Sequence, residues 1–442
     1  MTMIKLGYAR ADITPTESVP LAGFGNSSIR MHTNVMDPLY ATCLAFTDED
    51  GETALIYTMD LCFLGTAFSG HIRDELCAAT GVSADRVLCS CTHNHSSPDL
   101  NNEEQASIPR YIAYLKDQMI TAAREALADR KPASAQIGRI HTQGMNFVRR
   151  YVLQDGSFAG DNYGHPKESP YACHESNVDN CLQLVRFTRE GGKDVVIANF
   201  QMHPHRLSGY RDPNVTADVV GAFRTAYEAQ VDCHFAYFTG GSGNVNGESR
   251  IKQEEVVYDH ISHGKHLADY ALQVSFHTAK LGKIKSAFKN HRAVINHDDD
   301  HLLPQAEEIN KVWVETKDKL LCKPLLEKYG FNSVYRATAL ISRVTMGEYM
   351  DIPLWSVSMG DIAFAAAPYE MFDTSGQLIK DASPFRMTFV ITCTNESGYG
   401  YMPSRLAFAH GGYSVDTCRF YPGIAEDLAK SHIELLESMK GE

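Results

Sequence analysis

Two histidines one residue apart follow an apolar run in the segment CTHNHSSPD, residues 91–99. The run from Val87 to Cys91 is typical of a buried strand, and alternate residues of an extended chain point to the same side. We therefore predict that His93 and His95 project together where the strand leaves its sheet. Two imidazoles on one side suit a metal ion, or a metal ligand beside a proton-transfer group. A polar strand end is the alternative, because 19 histidines in 442 residues make chance pairs common.

Three other segments also place polar side chains just beyond an apolar strand. His203 and His205 follow one in IANFQMHPHRLSG, Glu370 follows one in AFAAAPYEMFDTSG at a predicted helix start, and Tyr399 and Tyr401 follow one in ITCTNESGYGYMPSR. Rigid scaffolds commonly hold active sites at such strand ends. Zinc accepts imidazole, carboxylate and phenolate ligands. Taken singly, each residue also has an ordinary interpretation: a hydrogen-bonded loop histidine, a carboxylate at a helix N-terminus, or a packing tyrosine.

The elements that must position these groups alternate between strand-like and helix-like patterns. The predicted strands are 41–47 and 54–57 around the turn DEDGE, 86–91, 194–200, 234–238, 355–367 with a hairpin at 359–361, and 386–393; the predicted helices are 66–80, 108–128 and 218–230. Lys, Glu and helix formers enrich the segment at about 264–340, where we predict a helical insertion. The fold class predicted is α/β (mixed α+β), with one large domain over residues 1–442.

Composition excludes several classes of partner. The formal net charge of −13 argues against nucleic acid and against an anionic membrane surface, since both require a basic face. No apolar run approaches the ~20 residues that span a bilayer, and the N-terminus lacks the features of a secretory signal. The 11 cysteines show no repeating spacing, which predicts a reducing cytoplasm rather than a disulfide framework. The expected partner is a small-molecule substrate, and the oligomeric state is left open.

Two conspicuous charge clusters have plain interpretations. The segment HDDDH, residues 297–301, looks like a metal cluster but precedes a helix start, where acidic residues and proline are routine. The lysines of LGKIKSAFKNHR, residues 281–292, are predicted to lie on a solvated helix face.

Several segments together resemble signatures of the neutral (non-lysosomal) ceramidase superfamily, in its N-terminal catalytic domain. The matching segments, in chain order, are GYARADITP for the family's G-x-A-x-x-D-I-T-P, CTHNHSSPD for T-H-T-H-S-G-P, NFQMHPHRLSG for the strand with its second zinc histidine, GGSGNVNGE for its G-D-V-S-P-N loop, APYEMF for P-x-E-x-F, and SGYGYMPS for its tyrosine loop. The family has a second functional tyrosine twelve residues further on, and that count from Tyr401 reaches Tyr413. The resemblance covers most of the chain except about 264–340.

The resemblance implies a complete site around one Zn²⁺ per chain. Two imidazoles, a carboxylate and a phenol would hold the ion: His93, His203, Glu370 and Tyr401. The catalytic groups beside it would be His95 for proton transfer, Tyr413 for carbonyl polarisation, and Asn246. Contacts to a polar or anionic substrate group would come from Arg149 and Arg150 of NFVRRYVLQDG, and from His205. Asp60 would lie next to the metal ligands without binding the metal itself. The alternative role for Asp60 is a simple helix cap.

The chain also departs from the family pattern. Asn246 stands where the family has an essential serine, and Asn244 where it has an aspartate. Asparagine is no nucleophile, but it can donate a hydrogen bond to an oxyanion. The family's C-terminal β-sandwich domain is absent from the sequence, which makes a two-chain sphingolipid a poor substrate expectation.

The resulting hypothesis is a zinc-dependent hydrolase of a small polar soluble metabolite. Metal-activated water would cleave an amide bond of this metabolite, and an ester bond is the less favoured choice. Two alternatives stay open. One is a non-catalytic zinc- or ligand-binding homologue that lost activity with the family serine. The other is a metal-dependent phosphoester hydrolase, which would favour a carboxylate-rich site with two metals.

Overall fold

The computed structural model describes residues 4–24, 30–160, 170–207, 209, 211–251 and 258–440, so Ser208 of the NFQMHPHRLSG segment lies outside the described residues. Within these ranges the largest element is a nine-stranded mixed sheet. Its strands are β1 (Ile4–Asp12), β3 (Tyr40–Thr47), β4 (Thr53–Met59), β5 (Val87–Cys91), β6 (Lys131–His141), β11 (Cys181–Arg189), β12 (Asp194–Phe200), β14 (Cys233–Thr239) and β16 (His277–Ala279). The order across the sheet is β14-β12-β11-β6-β1-β3-β4-β5, and β16 pairs with β6 off this path.

A second sheet packs face to face on the first. Its four described strands, in their order across the sheet, are β17 (Ile284–Val294), β18 (Tyr349–Met359), β19 (Ile362–Ala366) and β21 (Met387–Ile391). Phe46 of the first sheet shares one apolar core with Trp355 and Phe389 of the second. Burial between the two sheets therefore joins the N-terminal and C-terminal parts of the chain.

Helices cover the outer face of each sheet. They are α1 (Thr66–Thr80), α2 (Ser107–Ala128), α3 (Asp218–Glu228), α4 (His260–Leu272), α5 (Leu303–Thr316), α6 (Lys319–Tyr329), α7 (Val334–Arg343), α8 (Asp373–Ala382), α9 (Arg405–His410), α10 (Tyr413–Asp416) and α11 (Ile424–Lys440). α1 and α2 cover one half of the first sheet, and α3 and α4 the other. α8 and α11 cover the second sheet, while α5, α6 and α7 enclose a small core of their own. The architecture is thus helices, sheet, sheet, helices.

The central strands are apolar along their whole length because both of their faces are buried. On β4, Leu55 and Tyr57 pack towards α1 and α2, whereas Ala54 and Ile56 pack towards the second sheet. Alternate side chains of a strand point to opposite faces, so a strand between two layers needs apolar residues at every position. This requirement explains why these strands could be recognised as continuous apolar runs.

The predicted mixed α/β class is confirmed, as are most of the predicted elements. The helix predicted at 66–80 is α1, and Gly81 ends it with φ +74° in the left-handed region that favours glycine. The strand predicted at 194–200 is β12, and the hairpin predicted around residues 359–361 joins β18 to β19. The extent of the domain, residues 1–442, stays a prediction.

The predicted helix over the basic stretch 281–292 is wrong. Residues 284–294 form β17, the edge strand of the second sheet, and its side chains are largely half-buried or exposed. Lysines such as Lys285 and Lys289 on an edge strand discourage pairing with a second chain, which is the physical reason for basic residues there. The helical part of the segment at about 264–340 is therefore interrupted by β16 and β17, with α4 before them and α5 to α7 after them.

The acidic segment 297–301 stands at a helix start, as predicted, but neither N-cap residue there, Asp299 or Leu302, makes a side-chain capping hydrogen bond. A 3₁₀ turn (Asp300–Leu302) leads directly into α5, which carries Pro304 in its first turn. Asp300 accepts from the His297 ring at 2.7 Å, and Asp299 pairs with Arg336 at 2.5 Å. These carboxylates are thus engaged with nearby cations at the surface.

Short strands outside the two large sheets bring distant segments together near the predicted site. They are β8 (Arg150–Leu153), β9 (Phe158–Gly160) and β10 (Tyr171–His174) in one sheet, and the pairs β2 (Asn34–Val35) with β13 (Asn214–Val215), β7 (Phe147–Val148) with β15 (Val245–Asn246), and β20 (Glu370–Met371) with β22 (Tyr401–Met402). Among the helices of the described ranges, none is both long and apolar enough to cross a bilayer.

Candidate metal centre

The first His-x-His segment follows β5 in a tight loop. The Thr92 N–H donates to the Met59 carbonyl at 2.8 Å, which holds the loop against the end of β4. His93 itself has φ +65°, a left-handed conformation that non-glycine residues adopt at a cost. The segment is therefore not extended, contrary to the reasoning from the sequence. The two rings meet nonetheless, with 3.2 Å between His93 Nε2 and His95 Nε2.

Asn94, between the two histidines, ties this loop to its surroundings. Its Nδ2 donates to the Thr216 carbonyl at 2.7 Å and to the Asp60 carbonyl at 3.3 Å. The Asp60 carboxylate accepts from both guanidinium nitrogens of Arg224, at 3.2 and 2.9 Å, in a buried ion pair. The N-cap of α1 is Gly65, so Asp60 is not the helix cap that was its alternative. Asp60 lies behind the His93 loop, and its carbonyl contacts this loop through the Asn94 side chain.

The second His-x-His segment follows β12 and is held by the chain around β15. The His203 N–H donates to the Val245 carbonyl at 3.0 Å. His203 Nδ1 lies 2.6 Å from the Ser242 carbonyl, which can only accept, so Nδ1 carries the proton. The Nε2 lone pair of His203 therefore faces the opposite way, towards Glu370.

Glu370 lies on a short parallel strand pair rather than at a helix start, because α8 begins only at Asp373. The Glu370 N–H donates to the Gly400 carbonyl at 3.0 Å. In this pair Glu370 stands directly opposite Tyr401. Backbone pairing thus sets the carboxylate beside the phenol, although residues 372–400 lie between the two strands in the chain.

The histidines and the carboxylate converge on one buried point. Glu370 Oε2 is 3.2 Å from His203 Nε2 and 3.3 Å from His93 Nε2. These three residues form a group whose ligand atoms lie within 4.8 Å of one another, and all three are buried. His203 Nε2 and Glu370 Oε2 both present lone pairs to the same place, which is favourable only if a cation is shared between them. The donor set and its geometry therefore fit a metal ion.

The charges of the site centre on the buried pair of His93 and Glu370. Burial alone would lower the pKa of His93, but interactions with Cys62, Glu370 and Cys393 raise it well above its ordinary value. Burial would raise the pKa of Glu370, yet the charge of His93 holds it well below its ordinary value. Burial and the nearby Arg149 lower the pKa of His203 to about 3, so this ring is neutral at pH 7. In the metal-free protein, His93 therefore carries the positive charge that balances Glu370.

His95 and Tyr413, the predicted catalytic groups, are both uncharged in their surroundings. Burial and the charge of His93 hold the pKa of His95 well below its ordinary value, so its ring is neutral at pH 7. Burial, followed by the Glu370 charge, raises the pKa of Tyr413 to about 12, so its hydroxyl is protonated and can donate. The Tyr413 ring lies 5.6 Å from the Tyr401 ring, centroid to centroid.

The two predicted arginines occupy different surroundings. The Arg149 guanidinium donates to the Gly243 carbonyl at 2.8 Å and lies 5.4 Å above the Tyr401 ring, within the site. Arg150 instead forms a buried ion pair with Glu175, at 2.7 and 2.9 Å. Its Nη2 also donates to the Gly411 carbonyl at 2.7 Å, at the start of the loop that carries Tyr413. The contact of either arginine with a substrate stays a prediction.

Asn246 and His205 form one hydrogen-bonded unit beside the second histidine. His205 Nε2 lies 3.1 Å from Asn246 Oδ1, and Asn246 pairs with His203 through the backbone. Burial and Arg149 lower the pKa of His205, so the neutral ring donates through Nε2 to the amide oxygen. Asn244, by contrast, is engaged with Asp373 at 2.7 Å.

Four groups of the site were not predicted from the sequence. The Ser242 carbonyl orients His203, and the thiols of Cys62 and Cys393 face His93 Nδ1 at 3.7 and 3.6 Å. Tyr335 of α7 packs edge-on against the Tyr413 ring at 4.9 Å. A carbonyl leaves no trace in residue type. The position of both cysteines just after apolar strands is the one signal that could have pointed to them.

Comparison with known proteins supports the fold. The sequence matches no family model. A search of the curated proteins also gives no match. Among solved structures, the crystal structure of neutral ceramidase from Pseudomonas aeruginosa is similar with a TM-score of 0.74 and 15% identity, over 100% of this chain and 75% of that chain. A ceramidase complexed with C2 is similar with a TM-score of 0.70 and 15% identity, over 100% of this chain and 76% of that one.

The chain therefore has a neutral-ceramidase-like fold, and the resemblance drawn from its sequence segments is confirmed at that level. At 15% identity the likeness concerns the fold alone.

Proposed function

We propose that this protein is a zinc-dependent amidohydrolase that acts on a small, polar, soluble metabolite in the cytoplasm. One zinc ion would be held by His93, His203, Glu370 and Tyr401, and it would supply Lewis-acid activation of a water molecule. An amide is favoured over an ester because the chain shares its fold with ceramidases.

The observation that carries the proposal is the convergence of His93, His203 and Glu370. One carboxylate oxygen lies 3.2 and 3.3 Å from two imidazole nitrogens, and the whole group is buried. A buried carboxylate and a neutral imidazole that face each other with lone pairs lose stability unless a cation joins them. The charged His93 and Glu370 alone would form an ordinary ion pair of a donor with an acceptor. The lone pair of His203 Nε2, which faces the same carboxylate, is what a shared metal ion would satisfy.

The residues beside this group have chemically distinct tasks. The protonated Tyr413 hydroxyl would donate a hydrogen bond to the amide oxygen as negative charge develops on it. Neutral His95 would take a proton during attack and pass it to the departing amine. Asn246 cannot replace the nucleophilic serine of the family pattern, so attack by water is the route that the side chains allow.

Arg149 and His205 favour a substrate with a polar or anionic group next to the scissile amide. The Arg149 guanidinium is buried and already donates to Gly243. The positive charge of a guanidinium fixed inside the site favours an anionic group, such as a carboxylate, on the substrate. N-acyl amino acids are the simplest compounds that combine an amide with such a carboxylate.

The test combines metal analysis with an amide panel. Purified wild-type protein should contain stoichiometric zinc, and His203→Ala should contain none. A chelator should abolish hydrolysis of N-acyl amino acids, and added zinc should restore it. His432→Ala is the matched control, because it removes a buried imidazole that lies in the core beneath α11, and it should keep the metal.

Two outcomes contradict the proposal in different ways. Stoichiometric zinc in His203→Ala would place the metal elsewhere. Zinc in the wild-type protein without hydrolysis of any amide or ester would favour the alternative of a non-catalytic binding protein. Preference for the N-acyl amino acids over the matching uncharged amides would support the role of Arg149.

A further inference from the structure

The side of His93 that faces away from Glu370 has an unusual environment. Its Nδ1 lies 3.7 Å from Cys62 Sγ and 3.6 Å from Cys393 Sγ. The three side chains are fully buried, and the edge of the Phe63 ring packs against the imidazole at 4.7 Å between centroids. Two sulfur atoms therefore flank the nitrogen that does not face the candidate metal position.

A histidine that binds a metal through one nitrogen normally donates the other N–H to a carboxylate, a carbonyl or water. His203 follows this rule, since its Nδ1 donates to the Ser242 carbonyl at 2.6 Å. At His93, the side-chain acceptors within reach of Nδ1 in the described chain are the two sulfurs. Sulfur is a weaker hydrogen-bond acceptor than oxygen, and at His93 two sulfurs stand where the Ser242 and Val245 carbonyls, at 2.6 and 3.2 Å from Nδ1, stand at His203.

The backbone is arranged to bring these groups face to face. Cys393 has φ +51° and His93 has φ +65°, both in the left-handed region. The loop after β21 is fixed against β5, because the Cys91 N–H donates to the Cys393 carbonyl at 3.1 Å and Asn395 Oδ1 accepts from the Cys89 N–H at 2.8 Å. Non-glycine residues adopt this region at an energetic cost and persist in it where the surrounding structure over-determines them.

We propose that Cys62 and Cys393 are positioning residues of the candidate metal centre, whose sulfurs accept the Nδ1–H of His93 and turn its Nε2 towards Glu370. The inference rests on the proposed function, because it assumes that His93 binds a metal. It adds that this ligand is oriented by thiols, so that the cysteines set the affinity for the metal without touching it.

The experiment measures zinc affinity by competition with a chromophoric chelator in the full-length protein. The double variant Cys62→Ala with Cys393→Ala should bind zinc about 10–100-fold more weakly than wild type, which is the usual effect of removing a group that orients a metal ligand. Each single variant should lose less, because one sulfur remains. Cys89→Ala is the matched control. It removes a different buried thiol, which lies on β5, and should keep wild-type affinity for zinc.

Two further readouts separate positioning from loss of packing. The Cys→Ser variants at both positions retain an acceptor and should recover part of the lost affinity. The visible spectrum of the Co²⁺-substituted double alanine variant should differ from that of wild type, because the orientation of a ligand changes. Wild-type affinity and an unchanged cobalt spectrum in the double alanine variant would overturn the proposal, as would an equal loss of affinity in Cys89→Ala.

The failure of this inference can be told from failure of the proposed function. A wild-type protein that binds neither zinc nor cobalt would overturn both. A wild-type protein that binds zinc tightly, with cysteine variants of unchanged affinity, would refute the role of the sulfurs and leave the hydrolase proposal standing. Zinc binding that depends on the cysteines, without any hydrolysis, would support the positioning role alone.

Discussion

The two His-x-His segments are alike in sequence and unlike in the way the fold holds them. In each, the first histidine faces Glu370, at 3.3 Å from His93 and 3.2 Å from His203. The second histidines differ, since His95 faces His93 whereas His205 faces Asn246. The His203 segment is aligned by one isolated backbone bridge to Asn246 and by a carbonyl at its Nδ1. The His93 segment has a left-handed residue whose Nδ1 faces two thiols.

Main-chain hydrogen bonds hold both loops, so the difference lies in what orients each ring. Main-chain carbonyls face Nδ1 of His203, whereas side-chain sulfurs and a left-handed backbone orient His93. Main-chain carbonyls stay in place when a side chain is replaced, so His203 should tolerate changes around it. His93 should be sensitive to them. The side of the site with His93 and His95 also contains the proton-transfer group, so disturbing it should affect chemistry as well as metal binding.

The largest expected effect comes from a residue outside both segments, and it separates chemistry from metal binding. Tyr413→Phe removes the hydroxyl that would donate to the amide oxygen and leaves the ring in place. Loss of one oxyanion donor typically costs ~10²–10³ in rate, or about 3–4 kcal/mol. Steady-state kinetics should show this loss in kcat, with unchanged zinc content by elemental analysis. A fall in zinc content would instead place Tyr413 among the groups that hold the metal.

A matched pair of asparagines tests the asymmetry between the two segments directly. Asn94 and Asn199 are both fully buried, and each donates through Nδ2 to two main-chain carbonyls. Asn94→Ala should weaken zinc binding by about 10–100-fold, because it loosens the His93 loop. Asn199→Ala should lower the free energy of unfolding by about 1–3 kcal/mol with little effect on zinc affinity, because carbonyls still hold His203.

Chelator competition and urea unfolding measure the two quantities for both asparagine variants. Equal losses of zinc affinity would remove the distinction between the segments. A loss confined to Asn199→Ala would reverse it.

The smallest effect is expected at the acidic segment before α5. This segment has the residue types that bind metals, but they are not arranged around a common point. The double variant Asp298→Ala with Asp299→Ala removes the partners of Tyr421 and Arg336. Exposed pairs of this kind contribute about 0–1 kcal/mol each. Zinc content should be unchanged, and urea unfolding should show a decrease within that range. Loss of zinc would mean that a second metal position exists outside the site of His93 and His203.

Much of the fold follows from patterns that are local in the sequence. Apolar runs bounded by turn residues revealed β4, β5 and β12, and helical spacing with a terminal glycine revealed α1. The basic stretch around β17 was assigned wrongly, because an edge strand is only partly buried and lacks the apolar run that marks an interior strand. The candidate ligands were found as polar residues at strand ends, and the resemblance to a family supplied their roles.

The sequence by itself determined which side chains stand at the strand ends and that the strands around them are buried on both faces. Only the tertiary structure decided that His203 and Glu370, 167 positions apart, lie within 3.2 Å of each other. It also decided that Arg150 turns to Glu175, and that Cys393 reaches His93 across 300 positions. The physical reason is that periodicity reports on burial residue by residue, whereas such distances depend on the order of strands in two packed sheets and on how loops close between them.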